Sequence, residues 1–461
     1  MAIWLVLFLY SVLLIIGIYN LFTEYKHKKI LNAFIFFHAA FILYYILIPI
    51  FSLIFIDINS KGLKGFILWI SLGDSYDIFY AFSYTVIAYS VFMIAYRIRF
   101  TSNIKRNSKD KGNSKNENRI NISDNSRVYK LAVLAGVSSL TIGVFGELLI
   151  ANSLGGILNA LAMGDQLRAY GSDNSYLIPQ NRLFAIVLMV SSLASTYFLV
   201  YALRIKRSVC VLVILLISIF ASIFLLFINA GRLGVLLFGL TFFIDFAFRK
   251  SKHPFIYIFV YSIIGFILLK RLDDLFFYLS YGYIKQSSTD FGSFLNEFAF
   301  PYLNLLNVHH INDAFGLRMG VDYFTWIINI FPSSVLNVFG LTKVTSGYVY
   351  ITQYYSGTDI QGGIPTDLIT LGIRQFGFIG ILIIFIIVAG ICKKTDEVID
   401  HLHSDKFYFI TLRIALIMFI IVPYADLDSF FRNRYDMIMV LLFAVMVNLI
   451  NYKYNRNAKR N

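Results

Sequence analysis

Two cysteines, Cys210 and Cys392, are all that the 461-residue chain carries. They build neither a disulfide framework nor a cysteine-based metal motif. Charge is also scarce, with 14% of residues charged against 58% hydrophobic. A soluble domain has about 25% charged and about 45–50% apolar residues, so a water-soluble core cannot hide this much apolar surface. Also missing in any usable context are a Walker loop, a GxGxxG turn, an HExxH helix, a nucleophile elbow and a CxxC pair. Nucleotide-driven chemistry on the cytosolic side therefore has no support, and no cofactor or metal is expected.

What is present reads as an all-α polytopic integral membrane protein with about eleven spans, within a range of about ten to twelve. The apolar runs lie near 2–22, 31–56, 77–96, 131–151, 182–204, 209–230, 233–248, 254–270, 366–392, 407–425 and 436–452. A further span around 61–73 is the one alternative that would change where the N-terminus lies. The first run lacks a basic leader and a small-residue cleavage site, so it is expected to stay as a span. The formal charge of +14 sits in loops. Residues 97–130 hold ten Lys/Arg against three acids, and the tail from Lys453 adds four more. Basic residues flanking spans mark the cytoplasmic side rather than a nucleic-acid partner. That places 97–130 in the cytoplasm, a smaller loop at 152–181 outside, and a large loop at 271–365 outside. A loop this long is expected to carry function and short helices of its own. Its stretch 322–340 is apolar enough to lie on or dip into the membrane.

A helix rises about 1.5 Å per residue, so the basic residues serve as rulers. Arg374 lies about 28 Å from Lys393, and Arg232 and Glu147 about 26 Å from Arg249 and Lys130. Arg271 stands at a similar height, and the 426–436 cluster with Arg434 closes the set. Each such residue alone is an ordinary helix end meeting water. Together they form a belt of arginines at the outer boundary, where guanidinium groups suit a phosphate or diphosphate. His38, Asp245 and Arg413 lie inside spans, and there packing is the expected role.

Four segments carry a resemblance. They are FINAGRLGVLLF (227–238), STDFGSFLNEFAFPYLNLL (288–306), GVDYFTWIINIFPSSVL (320–336) and QGGIPTDLITLGIRQFGFIG (361–380). With the topology, these resemble the bacterial O-antigen polymerase (Wzy-type oligosaccharide repeat-unit polymerase) family. One departure is that the acid expected shortly before the Phe-Gly pair is missing, Asp367 being the nearest. The resemblance implies a GT-C-like membrane glycosyltransferase of the bacterial cytoplasmic (inner) membrane, with its active site facing the periplasm or exterior. It implies undecaprenyl-diphosphate-linked oligosaccharides as donor and acceptor, membrane lipid as surroundings, and room for a chain-length regulator as partner. The product would be O-antigen or a related surface polysaccharide, as in lipopolysaccharide biosynthesis.

Glycosyl transfer needs a held diphosphate and a base for the acceptor hydroxyl. The diphosphate candidates are Arg232 and Arg374, then Arg168, Arg271, Arg318 and Arg434. The base candidates are Glu297, Asp290, His309 and His310, with Asp426 and Asp428 beyond them. Tyr281, Tyr283, Tyr323, Trp326, Tyr348, Tyr354 and Tyr355 are candidates for a glycan groove. Two rivals stand beside this reading. An O-antigen ligase shares the fold and would lean on the histidine pair. A transporter or flippase would instead show midplane sites, broken helices and internal repeats.

Overall fold

Apolar runs have few stable outcomes in hydrocarbon, and the helix is one because it satisfies its own backbone. In the computed structural model every regular element among the described residues is helical. Those residues are 2–28, 31–58, 63–98, 122–164, 182–228, 232–250, 254–283, 291–329, 331, 333–357, 364–402 and 408–425, with six more between 439 and 446. The first long helices are α1 (Ala2–Lys28), α2 (Ala33–Ile58), α3 (Ser75–Arg97), α4 (Ile122–Ser153), α5 (Arg182–Ile205) and α6 (Val209–Ile228). Next come α7 (Arg232–Lys250), α8 (Pro254–Tyr281), α9 (Val308–Phe315) and α10 (Gly347–Ser356). The last are α11 (Leu368–Phe376), α12 (Phe378–Leu402) and α13 (Tyr408–Ile421). Among the described residues seven helices, α1 to α6 and α12, are long and apolar enough to cross a membrane.

Two of the basic residues that flank spans, Arg97 and Lys393, meet at one end of the bundle. Arg97 donates to Asn20 at 2.9 Å, and Lys393 donates to the Ile98 carbonyl at 2.7 Å. Asp396 caps α2 by accepting from the Ala33 amide at 2.6 Å and from Tyr96 at 2.7 Å. This basic end fixes direction: α2 climbs away from it and α12 descends toward it.

Several boundaries differ from expectation. The stretch near 61–73 holds only a seven-residue helix, Gly65–Ser71, and no span. Helix α8 passes Arg271, with Phe276 buried against Phe227 at 5.1 Å between ring centres, and ends at Tyr281 before Gly282, whose φ is 76°. Residues 366–392 are not one helix. Gly377 adopts φ 61°, and the chain reverses there into a hairpin of α11 and α12. Helix α13 has 14 residues, about 21 Å, too short for a core of about 30 Å. Of the run 436–452 six residues are described, and the rest lie outside the described residues.

Helices α4 and α5 pack backbone to backbone through small residues, the usual device where lipid competes equally for apolar side chains. A Cβ on Gly143 would lie 2.6 Å from the Ser192 amide nitrogen and closer still to its hydroxyl. Gly143→Ala should therefore cost about 1–3 kcal/mol, seen as a lower thermal midpoint in detergent. Glu147, on the same helix, is buried and accepts from Ser192 at 2.7 Å. Its hydrogen-bond partner there is helix α5. His38 is buried and meets Tyr89 at 3.1 Å, and Asp245 pairs with Arg204. Both fit the packing role expected of them.

Candidate functional site

The α11–α12 hairpin builds the site. Asp367 caps α11, its Oδ1 accepting from the Ile369 and Thr370 amides at 3.1 Å each. Nine residues later the helix must stop, because Gly377 takes a left-handed conformation that other residues resist. The final carbonyls of α11 are capped from the large loop. Arg318 N donates to Arg374 O at 2.8 Å and Met319 N donates to Gln375 O at 3.0 Å. Two candidates 56 residues apart in sequence are thereby clipped together.

Arg374 is 1% exposed, and its Nε, Nη1 and Nη2 have no hydrogen-bond partner. Its guanidinium carbon stands 5.4 Å from the centre of the Tyr350 ring on α10. Arg318 lies over the same ring at 4.6 Å and donates to the Tyr350 hydroxyl at 3.2 Å. Arg318 is fully engaged, donating also to Asp322 at 2.9 Å and to the Thr345 carbonyl at 2.7 Å. Gln375 completes the set by donating to Asp322 at 2.7 Å. Around one tyrosine there are thus two guanidinium groups and one carboxylate. The surplus positive charge sits on the arginine that nothing hydrogen-bonds. An unpaired cation away from water is costly, and such residues usually mark a ligand or ion path.

This overturns the expected position of Arg374 at the water boundary. The Lys393 ruler assumes an unbroken helix, and the break at Gly377 folds Arg374 back behind the tip into protein. Arg318 joins it, whereas Arg271 does not. Arg271 is exposed on α8, a helix that packs mainly on α7. Arg232 opens α7, but its side chain lies outside the described residues, as do Arg168, Asp290, Asp426, Asp428 and Arg434.

The other candidates divide into separate places. His309 meets the Tyr84 hydroxyl at 2.8 Å and Tyr80 ring to ring at 5.4 Å. His310 pairs with Asp77 at 3.7 Å. Helix α9 is thus docked on the far end of α3, and Tyr354 joins it, its phenol pushed up by burial and then by Asp77. Tyr355 stacks on Trp69 at 5.2 Å. Glu297 is exposed at the end of the helix Phe291–Phe298. Tyr281 and Tyr283 pack on Phe277 at the end of α8. Tyr323 lies 6.4 Å from Phe376, next to the arginine pair, and burial followed by Asp322 pushes its phenol up to about 12. Trp326 donates to the Tyr323 carbonyl at 3.0 Å. Tyr348 is half-buried on α10.

The chain matches no protein-family model, no curated protein and no solved structure. The site therefore stands on its own geometry. Asp322, Tyr350 and Gln375 belong to it; Asp322 and Gln375 fall inside two of the quoted segments and Tyr350 outside all four, and none is a candidate from the sequence. The one local hint is the i, i+4 spacing of Arg318 and Asp322, the spacing of a helical ion pair.

Beside the arginines the loop turns apolar. Met319, Phe324, Phe331, Val338 and Phe339 are all exposed, and so are Phe378 and Ile379 at the start of span α12. Gly320 abuts Phe376, which links the two groups into one face. That continuity suits a surface set in the same hydrocarbon as α12. A nitroxide on Phe339→Cys, in a Cys210→Ser background and in nanodiscs, should be relaxed by oxygen and shielded from a water-soluble nickel complex. One on Asp313→Cys should show the reverse.

Proposed function

We propose that the chain is a membrane glycosyltransferase that lengthens an oligosaccharide carried on a polyprenyl diphosphate. The observation that carries the reading is Arg374, buried with three unpaired nitrogens beside Arg318 and Tyr350. The resemblance of four segments to the O-antigen polymerase family supplies the substrate class. The acceptor hydroxyl attacks the donor's anomeric carbon as the bond from that carbon to the diphosphate oxygen breaks. Arg374 and Arg318 take the charge that develops on the departing diphosphate. Binding there draws Arg318 from Asp322, which frees a carboxylate to accept the hydroxyl proton. An attack opposite the leaving group inverts the anomeric centre. The apolar loop face lets the carrier's tail stay in the bilayer while its headgroup reaches the arginines.

The test uses purified full-length protein with carrier-linked repeat units. Lengthened carrier-linked glycan together with free polyprenyl diphosphate supports the reading. Glycan moved onto a lipid core instead would indicate a ligase.

A second reading has one observation in its favour. Helices α11 and α13 are half-helices that meet end to end, with Leu368 N donating to Val422 O at 3.0 Å and Ala425 N to Thr366 O at 2.8 Å. Discontinuous helices are a transporter device. Movement of a lipid-linked glycan across vesicle membranes, with no lengthening, would favour that reading.

A further inference from the structure

The junction of the two half-helices holds a carboxylate that no cation among the described residues neutralises. Asp367 is fully buried, and its Oδ1 accepts from the Tyr45 hydroxyl at 2.5 Å as well as from two amides. Its Oδ2 has no partner. Tyr45 stands 12 residues from the start of α2 and 13 from its end, about 18 and 20 Å, so the carboxylate lies near the middle of a span. Helix α2 is locally widened there into a π turn, Leu43–Leu47, a feature common at functional sites.

Two more buried oxygens share the place without a partner: Thr370 Oγ1 and Asn304 Oδ1. Thr370 and Asn304 are within electrostatic reach of the carboxylate. Asn304 cannot swap its ends, because its Nδ2 already donates to Pro365 O at 2.9 Å. Asp367 Oδ2 and Asn304 Oδ1 can only accept, and the Thr370 hydroxyl has a single proton to give, so acceptors exceed donors and a positive partner would satisfy the remainder.

The helix ends do not cure the imbalance. The N-terminus of α11 brings about half a positive charge and the C-terminus of α13 about half a negative one. They abut, as the Leu368–Val422 hydrogen bond shows, so they cancel. Among the described residues no Lys, Arg or His pairs with Asp367. Arg374 is seven residues along α11, about 10 Å away. A lone carboxylate in such surroundings takes up a proton or a cation.

We propose that Asp367 Oδ2, Thr370 Oγ1 and Asn304 Oδ1, completed by carbonyl oxygen from the end of α13, bind a sodium ion that ties the half-helices together. Half-helix C-termini with unwound carbonyls suit such an ion, and its ligands are all hard oxygens. The site does not depend on the glycosyl-transfer reading.

The test measures radiosodium binding and the thermal midpoint of full-length protein, purified in choline chloride and titrated with NaCl at constant ionic strength and neutral pH. A saturable rise in the midpoint with stoichiometric sodium binding is expected, and choline should give neither. Thr370→Val should weaken sodium affinity by roughly tenfold or more, and Asp367→Asn should abolish binding. Thr370→Val keeps the test open if Asp367→Asn does not fold. Equal midpoints in sodium and choline would overturn the proposal. So would stabilisation on acidification that is indifferent to sodium, since Asp367 would then hold a proton.

Discussion

Replacing Arg374 by methionine should abolish glycan lengthening and leave the protein at least as stable as before. The two halves of this expectation have one cause. The guanidinium is out of water and makes no hydrogen bond, so its desolvation is offset only by the charge of Asp322 and by Tyr350. Replacing buried charge by a well-packed apolar side chain of similar volume is often neutral or stabilising by about 1–4 kcal/mol. A structural arginine would behave in the opposite way, because its removal would strand partners. Removing a donor that stabilises developing charge costs about 10²–10³ in kcat. Arg374→Lys should recover little, since a lysine offers a point charge where a diphosphate takes a planar fork. Arg318→Met should lower stability instead, because Asp322 would lose a hydrogen-bonded ion pair. Thermal midpoints and turnover of the three variants at matched protein levels check this. A marked fall in the Arg374→Met midpoint, with turnover intact, would falsify the anion-site reading.

The long helices were legible because apolar length and flanking basic charge are local properties. Asn20, Arg97 and Lys393 do meet at one end of the bundle, as the loop charges required. What failed was the ruler at Arg374. It measured along an apolar run and could not see that Gly377 turns the chain back. Glycine is tolerated inside membrane helices, so its presence in QFGFIG did not announce a break. Helix α13 stops four residues before the end of its apolar run because Pro423 has no amide to continue it, and Val422 O and Ala425 N bond instead to Leu368 and Thr366. The site was half legible. Arg318 and Arg374 were candidates on chemical grounds alone. Asp322, Gln375 and Tyr350 are selected by the fold, which brings three separate segments to one ring.

The hairpin that makes this convergence rests on two glycines, and Gly380→Ala should undo it. A Cβ at Gly380 would lie 2.7 Å from the Gly372 carbonyl carbon and overlap its oxygen outright. A Cβ at Gly372 would in turn lie 2.9 Å from Gly380 O. Backbone cannot rotate away as a side chain can, so α11 and α12 must separate. The cost should reach or pass the about 3 kcal/mol upper range for overpacking. Separation also moves Arg374 off Tyr350 and breaks the clip that Arg318 and Met319 make to the end of α11. Turnover should therefore fall together with the thermal midpoint. Gly390→Ala is the matched control, ten residues down the same helix with nothing within 4 Å of the new methyl. It should be neutral or gain up to about 1 kcal/mol, the helix-propensity difference between the two residues. Gly377→Ala falls between them, since its φ of 61° with ψ of −141° costs a β-carbon about 1–3 kcal/mol without a clash. The ranking Gly380 below Gly377 below Gly390 in thermal midpoint is specific to a reversed chain. An unbroken helix through 366–392 would make all three substitutions alike.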